Sequence, residues 1–526
     1  MSSLPAAVPV VVAGGGPVGL ATAVELGKRG IRCMVVEPRT TVSHARPRCK
    51  TNNPRTMEHL RRWGIADELR TRAPLSSEWS QDIVFCTSLA GRELSRFSNT
   101  LGLVGGSDRF PEPGQQAPQF VLEELLRETV DALDTCELAT GWSVVGLTQS
   151  SNSVEVSVVD QGGNAATVTA EYVVGADGSR SVVRDAIGSS YVGGEALRPN
   201  FGMLFRAPRL WDLVAHGPAV QYWTVNTMSP GIVGPLDLEG TWWCVAFGVD
   251  NESGLHRGHD LIRGLIGADT EVEILSTDPW TARMQLVDRI HKGRVLLAGD
   301  AAHLNPPFGG HGLNTGIGDA VDLGWKLAAV LDGWGGPNLL DSYAAERRPI
   351  QDKVIAEAAS NMRVLSSDLI DGDLELEGER GEKARAVAHE RIQETKYAEF
   401  NSLDLILDAG YCGSPIVVSS TSCGPARPGY RLPHIWLREG ISLYDELGTG
   451  LTLVLFDGHM VADAQAFLTA AEERKIPLSI LDLQRHDVRD RYGCEMLLVR
   501  PDQHIAWVSD AAQADPGTIL DHVTGA

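Results

Sequence analysis

The stretch VPVVVAGGGPVGLATAVELGKRGIRCMVVE, residues 8–37, admits few folds. Residues 8–13 form a continuous apolar run, short enough for a buried strand. A glycine turn follows, then a helical run that stops at Gly30 and a second apolar run, 31–36, that ends in Glu37. Strand, turn, helix, strand and terminal acid is the order of a dinucleotide-binding unit. In it, Gly14 permits the tight turn, Gly16 lets a pyrophosphate approach the backbone, and Gly19 lets the helix pack close to the strand. Pro17 and Val18 lie in the same turn. Glu37, 23 positions after Gly14, is placed to take the ribose hydroxyls of an adenosine, with Arg39 beside it. A carboxylate there repels a 2′-phosphate, so this site favours FAD or NAD over NADPH.

A second stretch, RVLLAGDAAHLNPPFGGHGLN at 294–314, repeats the logic with different residues. A short apolar strand empties into Gly299-Asp300, a paired proline ends at Pro307, and Gly309, Gly310 and Gly312 precede a long helical pattern. Backbone donors at a helix N-terminus, a carboxylate for hydroxyls and a stiff proline wall suit a large polar cofactor. A third strand end, at 175–184, reads GADGSRSVVR and carries Asp177 at its tip. Between the first two, residues 46–58 hold Arg46, Arg48, Lys50 and Arg55, four cations within ten residues, which suggests anion contacts.

That cluster is notable because the chain as a whole is acidic: 46 Lys and Arg against 68 Asp and Glu give a formal charge of −22. Such a balance repels phosphate backbones and anionic bilayers, so neither nucleic acid nor a membrane is an expected partner. The N-terminal apolar run ends at a glycine turn rather than a cleavage site or an 18-residue span, and a soluble cytoplasmic protein is expected. The eight cysteines show no CxxC and no His/Cys cluster, so no disulfide framework or metal site is indicated.

Glu37, GADGxxSxVR at 175–184 and GDAAHLNPPFGGHGLNTG at 299–316, in this order, resemble the single-component FAD-dependent aromatic hydroxylases with the para-hydroxybenzoate hydroxylase fold. The resemblance covers nearly the whole chain. It implies that Gly14, Gly16 and Gly19 hold the pyrophosphate and Glu37 the ribose. Arg46 would lie near the flavin and the pyridine nucleotide, and Gln119 would contact FAD from its helix. Asp177 would stand between FAD and NADPH, and Gly299-Asp300 would hold the ribityl chain. Pro307, Gly310, Gly312, Leu313 and Asn314 would surround the isoalloxazine. One residue departs from the family pattern: His311 stands where a glutamine is usual.

The fold class expected is α/β, with a Rossmann-like FAD-binding domain, an antiparallel-sheet substrate domain and a C-terminal thioredoxin-like domain. The FAD-binding part takes 1–74, 116–185 and 286–400, the last with long helices. The substrate part takes an excursion at 75–115 and then 186–285, where runs at 201–206, 219–225, 231–236 and 241–249 alternate like strands. Aromatic residues are dense there, and some should line an aromatic pocket. The acidic segment at 366–382 reads as an exposed linker before a short helix at 382–400. Residues 410–526 resemble the thioredoxin-like domain of the phenol and polyketide hydroxylase branch, with packing or homo-oligomer contact as its role.

The activity implied is an NAD(P)H- and O2-consuming monooxygenase that hydroxylates a small phenolic or polyketide-like aromatic through a flavin C4a-hydroperoxide. NADPH rather than NADH is the family's usual reductant. Hydroxylation is faster on a phenolate, so a base or relay is wanted; Arg46, His311 and Tyr222 are the candidates, with Pro307 as a dry wall. The alternatives are a Baeyer-Villiger oxygenase on the same fold and a flavoprotein redox carrier or binding protein.

Overall fold

The computed structural model describes residues 4–46, 50–103, 105, 107–194, 198–362, 366–420, 424–484, 486–509 and 515–526. Arg48 of the basic cluster, with Cys49 and Cys423, lies outside them.

The strand Ala7–Ala13 sits between Cys33–Glu37 and Ala165–Gly175, parallel to both. Val295–Leu297 adds to the far side of Ala165–Gly175, also parallel, and Cys136–Thr140 closes the other flank. A parallel sheet is covered on both faces, which is why these strands are unbroken apolar runs. Their register decides the site: Ala13 is level with Gly175, and Gly175 with Leu297. The three polar turns recognised in the sequence therefore leave neighbouring strands at one edge of one sheet. Ligands on such sheets bind outside the carboxyl ends of the strands.

The helices after the glycine turns at 14–19 and 299–310, Pro17–Gly27 and His311–Leu331, cross in close contact. A Cβ on Gly324 would stand 2.5 Å from the Glu25 Cβ, and one on Gly316 2.5 Å from a Val18 methyl. Glycine at both places lets the two turns approach each other.

A seven-stranded sheet stands against this layer. Its order is Glu273–Thr281, Pro199–Arg206, Thr241–Phe247, Gly231–Pro235, Gln221–Thr224, Ile83–Cys86, Glu93–Phe97. Glu273–Thr281 was not expected as a strand, because EILSTDPWT carries few apolar residues and a proline; it forms at the sheet edge, where proline is tolerated. The helix Asn251–Ile266 was also missed. It packs its buried Leu261, Ile262 and Leu265 on the sheet face away from the flavin-type turns.

The acidic linker is a correction. Leu369 and Leu374 are buried, and the following helix, Gly378–Phe400, starts four residues earlier than expected. It lays Ala388, Ile392, Lys396, Glu399 and Phe400 into the protein. The C-terminal sheet runs Leu478–Asp482, Leu451–Leu455, Met496–Val499, Ile505–Val508, with one parallel and two antiparallel pairings, in the thioredoxin-like manner. Arg500 fastens it: fully buried, it donates to Asp322 and Glu346 of the cofactor layer and to Asp502. Among the described residues, no helix is long and apolar enough to cross a membrane.

Candidate active site

A cavity of about 810 Å³ lies where the two sheets meet. One end is walled by the turns of the parallel sheet, through Gly16, Pro17, Val18, Ala176, Gly178 and Asp300. The other is aromatic, through Trp223, Trp243, Phe247, Phe308 and Phe400. Arg46, Gln119, Pro307, Gly310, Gly312 and Leu313 line the stretch between.

The residues present fit a dinucleotide. The helix Pro17–Gly27 starts at Gly16 and the helix His311–Leu331 at Gly310, and neither has a side-chain cap. Each therefore presents its first backbone N–H groups, with the positive end of its dipole, to the same cavity. A Cβ on Gly16 or Gly178 would meet nothing within 4 Å, so both backbones are open to a close ligand. Asn305, on the wall beside Gly312, has a buried Nδ2 with no protein acceptor.

Several sequence candidates support this wall from behind. Gly14, at φ +102, and Gly19 pack against backbone: a Cβ on Gly19 would be 1.9 Å from the Gly14 carbonyl. Glu37 accepts the Gly15 N–H at 2.7 Å and the Arg39 Nε at 2.6 Å, and Arg39 also reaches Glu123. Asp177 accepts the Ser181 hydroxyl and the Val183 N–H, so its carboxylate steadies the start of the helix Val182–Ala186; burial raises its pKa. Gly299, at φ +59, turns the chain so that Asp300 faces the cavity.

Three assignments are corrected. Asn314 is a clamp, not a wall residue: its Oδ1 accepts from the Asn53 N–H and the Thr56 hydroxyl, and its Nδ2 donates to the Thr51 and Gly310 carbonyls. Its amide is filled by protein partners and pins the long helix to the 51–56 segment. Tyr222 alternates away from the cavity: Gln221 and Trp223 line it, while the Tyr222 hydroxyl donates to the Gly217 carbonyl on the opposite face. Burial pushes that phenol well above its ordinary pKa. His311 is buried against Gly309, outside the cavity wall, with Nε2 unpartnered. Burial lowers its pKa to about 4, which makes the ring a weak base, and it stands off the cavity wall, so it is no candidate for the catalytic base.

Residues the sequence did not single out complete the site. Asp319, buried in the long helix, accepts the Gly299 N–H at 3.1 Å, His303 Nε2 at 2.8 Å, Arg347 Nε at 2.8 Å and the Gln351 amide at 3.1 Å. Burial pushes its carboxyl up, but Arg347 and His303 outweigh that and carry it down to about 2. It is the anchor of the Gly299-Asp300 turn. Glu399 lines the aromatic end and pairs with the buried Lys396 at 2.8 Å, whose Nζ lies 4.6 Å from the Trp223 ring centre. Only the i, i+3 spacing of Lys396 and Glu399 could have drawn attention to them.

Residues 7–358 match the family model described as FAD binding domain, and residues 425–526 the one described as aromatic-ring hydroxylase, C-terminal. The chain is 31% identical over 549 residues to the tetracenomycin B2 monooxygenase-dioxygenase of Streptomyces olivaceus, covering 98% of each protein. It is 30% identical over 581 residues to a phenol 2-monooxygenase of Pseudomonas sp. (strain EST1001), covering 97% of this chain and 91% of that one. Among solved structures, the rebeccamycin biosynthetic enzyme RebC with reduced flavin superposes with a TM-score of 0.91 at 34% identity, over 99% of this chain and 100% of that one. Aklavinone-11 hydroxylase, solved with FAD and aklavinone, superposes with a TM-score of 0.83 at 28% identity over the whole of both chains.

Proposed function

This chain belongs to the FAD-dependent aromatic-ring hydroxylases, NAD(P)H-consuming flavin monooxygenases, and on that premise we propose how its own residues divide the work. The observation that carries the reading is the pair of uncapped helix N-termini opening on one cavity whose far end is aromatic. The first, at Gly16, suits the pyrophosphate of FAD; the second, at Gly310 and Gly312, suits the electron-rich pyrimidine edge of the flavin. Asp300 suits the ribityl hydroxyls, and Gln119 and Arg46 the span between. Bound FAD supplies hydride acceptance from NAD(P)H and the activation of O2 that delivers one oxygen atom to an aromatic ring.

The protein's part is placement and exclusion of water. Pro307 has no N–H to offer, so the wall beside the flavin turn stays dry while the helix N-terminus that follows at Gly312 donates. Trp223, Trp243, Phe247 and Phe308 give a flat ring system faces and edges to pack on, and their spread fits a phenolic or polyketide-like substrate of more than one ring.

The test is direct. Purified protein should carry FAD, and planar phenols should stimulate NADPH oxidation with O2 uptake and one labelled oxygen from 18O2 outside the ring of the product. Colourless protein that takes up no added FAD refutes the cofactor reading. A lactone product would replace hydroxylation by Baeyer-Villiger insertion.

A further inference from the structure

Among the described cations of the basic cluster at 46–58, Lys50 is unexplained by the flavin site. Lys50 is held by its backbone, where its carbonyl accepts the Ala117 N–H at 2.7 Å. Its side chain turns from the cofactor layer into the seven-stranded sheet. Nζ donates to the Val220 carbonyl at 2.9 Å and lies 3.4 Å from the Pro235 carbonyl, on the wall of the cavity's aromatic end. The Trp243 ring centre is 4.6 Å away. Gly234 makes that corner: a Cβ there would come within 2.9 Å of Trp243 Nε1, so only glycine lets the indole lie flat beside the ammonium.

No carboxylate answers this cation. Among the described residues no Asp or Glu pairs with Lys50, and the depression of its pKa to about 7 has burial as its only cause. Buried charges are ordinarily paired, and the two fully buried lysines here obey the rule: Lys326 meets Asp322 and Glu346, and Lys396 meets Glu399, whereas Lys50, half-buried on the cavity wall, meets no carboxylate among the described residues. An ammonium has three N–H donors, and two neighbouring carbonyls account for at most two of them. The indole N–H groups of the neighbouring Trp243 and Trp223 are buried and have no protein acceptor either. Glu399, the carboxylate at this end, is already engaged by Lys396 and the Gly309 N–H.

We propose that Lys50 is a specificity residue that pairs with an acidic oxygen on the aromatic substrate, a carboxylate or an acidic phenol, seated against the Trp243 indole. The corner has the donors for an anion, an apolar face for the ring that bears it, and no anion of its own. This rests on the aromatic end being the substrate's place, as set out above. An ionised oxygen meeting this half-buried ammonium makes a charge-assisted hydrogen bond, whereas an ester or ether of the same shape leaves the ammonium as it was.

The experiment titrates FAD-loaded protein with matched two-ring ligands and follows the flavin absorbance difference spectrum. The pairs are 2-naphthoic acid against its methyl ester and 2-naphthol against 2-methoxynaphthalene. The acidic member of at least one pair should bind about 10- to 100-fold more tightly. Which pair shows the preference identifies the oxygen as carboxylate or phenol. Lys50→Met should erase that preference by weakening the acid and leaving the neutral twin unchanged; Lys50→Gln serves if the Met variant does not hold FAD. Equal affinity within both pairs in the unmodified protein overturns the inference, as does a preference that survives both variants. Hydroxylation of the neutral twins with equal efficiency would sink the role of Lys50 and leave the hydroxylase reading intact. A retained acid preference without any oxygenated product would do the reverse.

Discussion

Replacing Asp319 by Asn is the sharpest test of how the flavin-type turn is held. The carboxylate is fully buried and takes four hydrogen bonds, from the Gly299 N–H, His303, Arg347 and Gln351. A carboxyl that falls from 3.8 in the open chain to about 2 in the fold contributes roughly 2.5 kcal/mol at pH 7. Because the folded value is the lower one, that contribution is complete above about pH 4 and is lost as the pH falls towards 2. The amide introduced by D319N could keep some of the contacts through its carbonyl oxygen, but Arg347 would remain buried without its anion, a loss of about 3–5 kcal/mol. The second effect is the larger, so D319N should lower the unfolding temperature by several degrees and weaken FAD retention, since the Gly299 N–H loses its charged acceptor. The double variant D319N/R347M removes both charges and should be less destabilised than the sum of the single variants. Thermal unfolding read by flavin fluorescence, with FAD affinity by titration, checks the parent, D319N, R347M and the double variant. A D319N protein within about 1 kcal/mol of the parent, or strict additivity in the cycle, would refute the argument.

Two further tests separate side chains that build the site from those that touch the ligand. Gly19→Ala places a Cβ 1.9 Å from the Gly14 carbonyl and should destabilise the apoprotein by about 1–3 kcal/mol. Gly16→Ala meets nothing within 4 Å, so its apoprotein should unfold at the parent's temperature and only its FAD affinity should fall; equal effects of the two in both assays would contradict this. His311→Gln should leave the shape of the kcat/KM profile unchanged between pH 6 and 9, since the buried ring is neutral throughout that range. Its folded pKa lies below the ordinary 6.5, so neutral burial favours the fold above pH 6.5 and that advantage fades as the pH falls to about 4; the Gln variant should lose the corresponding acid sensitivity in a pH series of unfolding temperatures.

The parallel sheet and its three turns were legible because each strand is a buried apolar run with a period of its own, and because glycine, proline and aspartate punctuate the exits. Register was not in the sequence, and register is what sets Ala13, Gly175 and Leu297 level. The edge strand Glu273–Thr281 was illegible for a physical reason: half exposed and interrupted by Pro279, it is recruited by pairing with Pro199–Arg206 rather than by its own composition. The helix Gly378–Phe400 was legible from 382 onward, but its charged sequence conceals that Lys396 and Glu399 pair with each other in the core.

Motif residues proved to be of two physical kinds, and the sequence does not distinguish them. Gly16 and Gly312 show backbone to the cavity, whereas Gly14, Gly19, Gly310, Asp177 and Asn314 spend their special chemistry on the protein itself. A cofactor wall made of backbone needs this division. Its donors point correctly only if something else fixes the turns, and the groups best able to fix a turn, a carboxylate or an amide, are the ones a motif reading first assigns to the ligand. Asn314 shows the consequence. Its amide joins Thr51, Asn53 and Thr56 to Gly310, so the segment that begins at Lys50 and the glycine turn are held together. The residue proposed to select the substrate is thereby tied, through a single side chain, to the turn proposed to hold the flavin.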